Sequence, residues 1–158
     1  MQDGLFQSPS RGPLTYEELV ADLLAFVAED KDAAYKLIVG TDSQTAADLC
    51  FVTAIVVHRV GKGARYYYRR RHQQKMRSLR QRIFYETALS LATAQRLAES
   101  LASYGASLNV EIHLDIGENG ETKDLIRDVV GMVSGSGFRA EIKPKSYGAS
   151  KVADRYTK

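Results

Sequence analysis

Tyr35-Lys36-Leu37-Ile38-Val39-Gly40-Thr41-Asp42 decides how the rest of the chain is read. It is a short run of β-branched and apolar residues that stops at Gly, the pattern of a buried strand. It ends on an acid, Asp42. Ser43 to Asp48 follows as a polar turn. Cys50 to Val60, with Phe51, Val52, Ile55, Val56 and Val57, is the clearest strand in the chain. Gly61-Lys62-Gly63 is a tight turn, and Ala64 to about His72 reads as a third strand carrying Tyr66, Tyr67 and Tyr68. Strands joined by turns this short pair as an antiparallel meander.

Upstream, residues 1–14 are polar and broken by Ser, Pro and Gly, which predicts a loose, flexible lead-in. Thr15 and Glu18 have capping-box spacing, and Leu19, Val20, Leu23, Leu24, Phe26 and Val27 recur at helical spacing. An amphipathic helix over Tyr16 to about Glu29 follows. Downstream, Leu79 to about Tyr104 is a long helix. Its stripe is Leu79, Ile83, Thr87, Ser90, Ala94, Leu97 and Leu101, with Glu86 beside the centre and Gly105 as the stop. Leu108 to Asp115 alternates with period two and also ends on an acid. Thr122 is placed to cap a helix through Leu125, Ile126, Val129, Val130 and Val133. Phe138 to Lys143 is a fifth short strand, and a last helix begins near Ser150, with Asp154 in its first turn.

The order is an extra N-terminal helix and then β-β-β-α-β-α-β-α. This predicts one α/β domain over residues 15–158, built on a mixed five-stranded sheet with helices on both faces. Sites of open α/β sheets gather outside the carboxyl ends of parallel strands. Asp42 and Asp115 hold such ends if their strands are parallel neighbours.

Composition is that of an ordinary globular domain: 158 residues, 26% charged, formal net charge +3. The single cysteine, Cys50, excludes an internal disulfide and suits a reducing cytoplasmic setting. No signal-peptide pattern and no run of membrane-spanning length is visible. Arginine is unevenly spread, with Arg69, Arg70, Arg71, Lys75, Arg77, Arg80 and Arg82 crowded together. A phosphate backbone is the natural partner for such a stretch, so Arg69, Arg71, Lys75 and Arg77 are candidate nucleic-acid contacts. The plain alternative is a solvated strand end. Among the tyrosines, alternation turns at least one into the core and leaves others to stack on bases. His58, His72 and His113 are scattered without zinc-ligand spacing, and Ser43, Ser146 and Ser150 have no evident triad partners.

Gly40-Thr41-Asp42-Ser43-Gln44, Phe51-Val52-Thr53-Ala54-Ile55 and the end Lys143-Pro144-Lys145-Ser146-Tyr147-Gly148-Ala149-Ser150-Lys151-Val152-Ala153-Asp154 resemble the bacterial YkuK-like, ribonuclease-H-related family. The element order is that of the ribonuclease-H-like fold. The resemblance covers roughly Thr15 to Lys158 and implies a site of four acids: Asp42 on the first core strand, Glu86 on the first core helix, Asp115 ending the fourth strand and Asp154 on the last helix. It implies a nuclease that uses Mg²⁺ or Mn²⁺ to hydrolyse phosphodiester bonds, with Lys145 and Lys151 as phosphate-stabilising residues. Hard cations take carboxylate oxygens, and paired ions serve both the attacking water and the leaving oxygen. The acids should then converge on one face of the sheet. The His that classical ribonucleases H carry in a loop before the last helix has no counterpart, since all three histidines lie upstream.

Each acid also has a plainer reading: Asp42 and Asp115 as turn residues, Glu86 as a solvated helix residue, Asp154 as a complement to a helix N-terminus. Two other functions share the pattern. An ATP- or phosphate-binding module of the actin-like type also has an Asp at the end of its first strand, but such proteins set nucleotide between two domains. A nucleic-acid-binding protein without catalysis would have to tolerate four acids facing phosphates.

Overall fold

The computed structural model describes residues 4–45, 49–73, 76, 78–146 and 156. In chain order the elements begin with strands β1 (Phe6–Ser8) and β2 (Gly12–Leu14), helix α1 (Tyr16–Ala28) and strands β3 (Tyr35–Thr45), β4 (Leu49–Arg59) and β5 (Ala64–Gln73). Helix α2 (Leu79–Ser103), strand β6 (Val110–His113), a single 3-10 turn (Lys123–Leu125), helix α3 (Ile126–Gly135) and strand β7 (Arg139–Glu141) follow. They form one mixed sheet in the order β2-β1-β5-β4-β3-β6-β7. β3, β4 and β5 are the expected antiparallel meander, and β6 and β7 add to it in parallel.

Among the described residues the sheet has seven strands where the sequence suggests five, because part of the segment read as a loose lead-in is a hairpin. Phe6 on β1 is 1% exposed and packs near Tyr16, and Gln7 pairs with Tyr68 of β5. Gly12 has φ +74, a conformation that costs glycine little. Pro13 sits on β2, the outermost strand, where its missing N–H breaks no ladder. Three-residue strands are too short to show a period, so the pattern hides them.

α1 starts at the predicted capping box. The Glu18 amide donates to Thr15 Oγ1 at 3.2 Å, and the Thr15 amide donates to Glu18 Oε1 at 2.9 Å. α2 is capped by Ser78, which accepts from the Gln81 amide at 3.1 Å. Its expected stripe is largely buried, with Ile83, Thr87, Ser90, Ala94, Leu97 and Leu101 turned inward. The helix runs into Gly105, whose φ of +73 gives the left-handed stop. Thr122 does not cap a helix. Its hydroxyl accepts from the Gly117 amide at 3.2 Å and lies 3.3 Å from the Gly117 carbonyl, so it closes the loop after β6 instead.

Alternation divides the sheet into two faces. Leu37, Val39, Ile55, Val57, Tyr67 and Ile112 meet α1, α2 and α3 in the main core. Ile38, Val52, Ala54 and Val56 form a smaller cluster on the other face, with Tyr66, Tyr68 and Tyr156. Among the described residues α1, α2 and α3 therefore lie on one face. Most of the segment assigned to the terminal helix lies outside the described residues. Its Tyr156 does cover the second face: its ring stacks on Tyr68 at 3.7 Å and its carbonyl accepts from Arg70 Nε at 2.8 Å. No helix among the described residues is long and apolar enough to cross a membrane.

Candidate functional site

Strand register brings two of the predicted acids together. β3 and β6 run parallel, and their last paired residues are Gly40 and His113. Asp42 and Asp115 each lie two positions further on, where β6 has ended. β3 itself continues to Thr45 against β4, so Ser43 to Thr45 are strand where the sequence suggests a turn. Asp42 thus sits on a stretch of β3 whose β6-side edge lies beyond the β6 pairing, not at the end of the strand. This is the carboxyl end of the parallel pair, where α/β sheets build sites.

The third acid arrives from the helix. Glu86 lies on the inward side of α2 and is 7% exposed, as is Asp42. Ser43 donates its hydroxyl to Glu86 Oε2 in a short hydrogen bond. Arg82, one helical turn before Glu86, donates through Nη2 to Ser43 Oγ at 3.1 Å and to the Ser43 carbonyl at 3.3 Å. Thr41 Oγ1, on the same face of β3, lies 2.8 Å from Ser90 Oγ of α2 and 3.0 Å from Thr53 Oγ1 of β4. These hydroxyls tie the polar end of α2 to the sheet beneath it.

The acids do not all point from one face, which corrects the expectation. Ser43 meets α2, whereas Asp42 pairs across the strand with Val52, a member of the second-face cluster. Glu86 and Asp42 approach the end of the sheet from its two sides. They remain within electrostatic reach. Burial, with repulsion from Asp42 and Asp115, pushes the Glu86 carboxyl up to about 8, against the pull of Ser43 and Arg82.

Asp115 is partly open and takes an ion pair from Lys143 Nζ at 2.8 Å. That bond, with attraction from Asp42 and Glu86, raises the Lys143 ammonium above its ordinary value despite some desolvation. The loop after β7 is pinned to the strand end that carries Asp115. The Lys143 amide donates to the Ile116 carbonyl at 2.8 Å, and Ser146 Oγ donates to the Leu114 carbonyl at 2.7 Å. A side chain at Gly117 would press on Lys143, its Cβ falling 3.1 Å from that of the lysine. Lys145, the lysine expected near a phosphate, lines a groove of about 480 Å³ with His58, Glu111 and His113.

Among the described residues, then, Asp42, Glu86 and Asp115 come together with Ser43, Arg82 and Lys143. The last three have roles the sequence does not announce. Arg82 is the one with a readable signal, since it stands four residues before Glu86 on one helix. Asp154, Lys151, Lys75 and Arg77 lie outside the described residues. Arg69 and Arg71 face the α2 side of the sheet and line a second groove, of about 310 Å³. Arg70 faces the other side and holds Tyr156.

Carboxylate oxygens are the donors that hard divalent cations take, and a place where Asp42 and Asp115 repel the charge on Glu86 suits a cation chemically. No group of three His, Cys, Asp or Glu side chains among the described residues is arranged to hold an ion. Ser43 and Lys143 occupy carboxylate oxygens that a cation would need.

A family model described as Ribonuclease H-like matches residues 18–158. The chain is 39% identical over 168 residues to the uncharacterized protein YkuK of Bacillus subtilis (strain 168), covering 98% of this chain and 97% of that protein. No solved structure matches the chain.

Proposed function

The chain belongs to the ribonuclease H-like family, and from that premise we propose that it is a divalent-metal-dependent nuclease that hydrolyses phosphodiester bonds of nucleic acid. The observation that carries the reading is the meeting of three acids, from β3, α2 and the segment after β6, beyond the end of the β3–β6 pair, close enough for Asp42 and Asp115 to raise Glu86. Lys143 and Arg82 offset part of that repulsion, and Glu86 is still raised, so a divalent cation would relieve what remains.

In this reading Asp42, Glu86, Asp115 and Asp154 hold Mg²⁺ or Mn²⁺. When bound, the ions supply the charge that activates a water and stabilises the leaving oxygen. Ser43 and Arg82 orient the Glu86 carboxylate from one side. Lys143 neutralises Asp115 and stands ready to face a phosphate oxygen in the same place. Lys145 and Lys151 are further candidates for that charge.

The test is a panel of labelled single strands, duplexes, hybrids and junctions incubated with Mg²⁺ or Mn²⁺. At least one substrate is expected to be cut, and Asp42→Asn is expected to reduce that cutting at least a hundredfold while the protein stays folded. Tight binding with every substrate left intact would sink the nuclease reading and leave a binding protein.

A further inference from the structure

The groove lined by Arg69 and Arg71 reaches beyond the carboxylates. Its walls are β5, the β1–β2 hairpin with the start of α1, and the outer side of α2. The described lining contributes three guanidiniums, Arg69, Arg71 and Arg96, and no carboxylate. In the groove, aromatic rings brace the guanidiniums. Arg96 lies 3.7 Å from the centre of the Tyr16 ring, and Arg69 lies 4.6 Å from that of Phe6. A guanidinium stacked on a ring keeps its full charge and a fixed plane of N–H donors, the geometry that recognises phosphate.

The groove is also aligned with the acids. Ser43, Phe51 and Arg71 occupy one row across β3, β4 and β5. Tyr85 bridges that row to α2, with its ring 4.7 Å from Phe51 and its hydroxyl 3.4 Å from Arg71 Nη1. Along α2 the groove continues from there through Leu89 and Thr93 to Arg96. Thr93 lies seven residues past Glu86, about 10 Å along the helix. That is about three nucleotides of a strand with one charge per 3.4 Å or so.

We propose that this groove holds the backbone phosphates of a nucleic-acid strand about three nucleotides from the carboxylates, with Arg69, Arg71 and Arg96 as the contacts. The inference rests on the nuclease reading for its substrate class. It divides the basic stretch by strand alternation: Arg69 and Arg71 track the strand, whereas Arg70 secures Tyr156. It also gives the N-terminal hairpin a task, as the wall that holds Phe6 under Arg69.

The test is binding of the full-length chain to fluorescent single strands of four and twelve nucleotides, over a range of salt and without divalent ions. Ala92 is an exposed residue of the groove wall on α2, so Ala92→Glu adds a negative charge with little threat to folding. Ala92→Glu and the double variant Arg71→Ala/Arg96→Ala are each expected to weaken twelve-nucleotide binding about tenfold or more, alike for all sequences. The double variant should also flatten the dependence of log affinity on log salt by one to two, at about 0.7 per phosphate lost. The four-nucleotide strand should be affected less. If the double variant fails to fold, Ala92→Glu decides alone, with its melting temperature as the control. If the parent binds the longer strand and the variants match it in affinity and salt slope, the groove assignment is overturned and the nuclease reading stands. If the parent binds no strand at low salt, the reading beneath the inference falls and takes the groove with it.

Discussion

At Glu86 two sets of neighbours act on one carboxyl. Burial and the repulsion of Asp42 and Asp115 favour the proton, while Ser43 and Arg82 favour the charge, and the outcome is a group raised to about 8. The consequence for stability has a definite sign. In the unfolded chain this carboxyl ionises near its ordinary value of 4.5, whereas in the folded metal-free protein it keeps its proton up to about 8. Across that window the folded state binds more protons, so stability falls as pH rises from 4.5 to 8. Glu86→Gln should remove this contribution. In chelator-containing buffer the variant is expected to be more stable than the parent at pH 8, by about 1–3 kcal/mol, and not at pH 4.5. Urea melts across the pH range check this, and parallel curves for the two proteins would contradict it.

At the scale of elements, one acid fastens three of them. Asp22 of α1 accepts from the Tyr67 hydroxyl of β5 at 2.6 Å, pairs with Arg65 of β5 at 3.2 Å and pairs with Arg11, between β1 and β2, at 3.1 Å. Its burial beside Asp22 raises the Tyr67 hydroxyl well above the ordinary tyrosine range, so that hydroxyl stays a donor. Removing the acid leaves the buried Tyr67 hydroxyl and the partly buried Arg65 guanidinium unmatched. Asp22→Ala is expected to cost about 3 kcal/mol. It should also speed hydrogen exchange in β1 and β2 before the rest of the sheet. Uniform exchange, or a loss below about 0.5 kcal/mol, would mean that the hairpin is held by Phe6 alone.

For the whole molecule the proposed function predicts a link between metal and stability. Ions that bind only the folded chain raise its stability by mass action, about 2.7 kcal/mol at a hundredfold excess over Kd. Mn²⁺ should therefore raise the melting temperature by several degrees, and Asp42→Asn should abolish most of that rise. Because the described acids are balanced by Ser43, Arg82 and Lys143, the parent is expected to fold fully without metal. A melting curve unmoved by millimolar Mn²⁺ would count against Asp42, Glu86 and Asp115 as ligands.

Much of this protein was legible from local pattern. Period and turn chemistry located the meander, the capping box at Thr15 and the long stripe of α2, because each depends on neighbours a few residues apart. The β1–β2 hairpin escaped because it is held by distant partners, Phe6 by the core and Gln7 by Tyr68, and not by its own sequence. The candidate site divides in the same way. That Asp42 and Asp115 follow apolar strands is visible in the chain. Their meeting depends on the β3–β6 register, a pairing across some seventy residues that no local pattern encodes. Tertiary structure alone decided that Ser43 would receive Arg82, that Lys143 would sit on Asp115, and that Asp42 and Glu86 would come from opposite faces. A residue's type and spacing determine which element it joins. Which charges then share a space depends on how the elements pack, and at the end of this sheet the packing brings together acids that the chain keeps far apart.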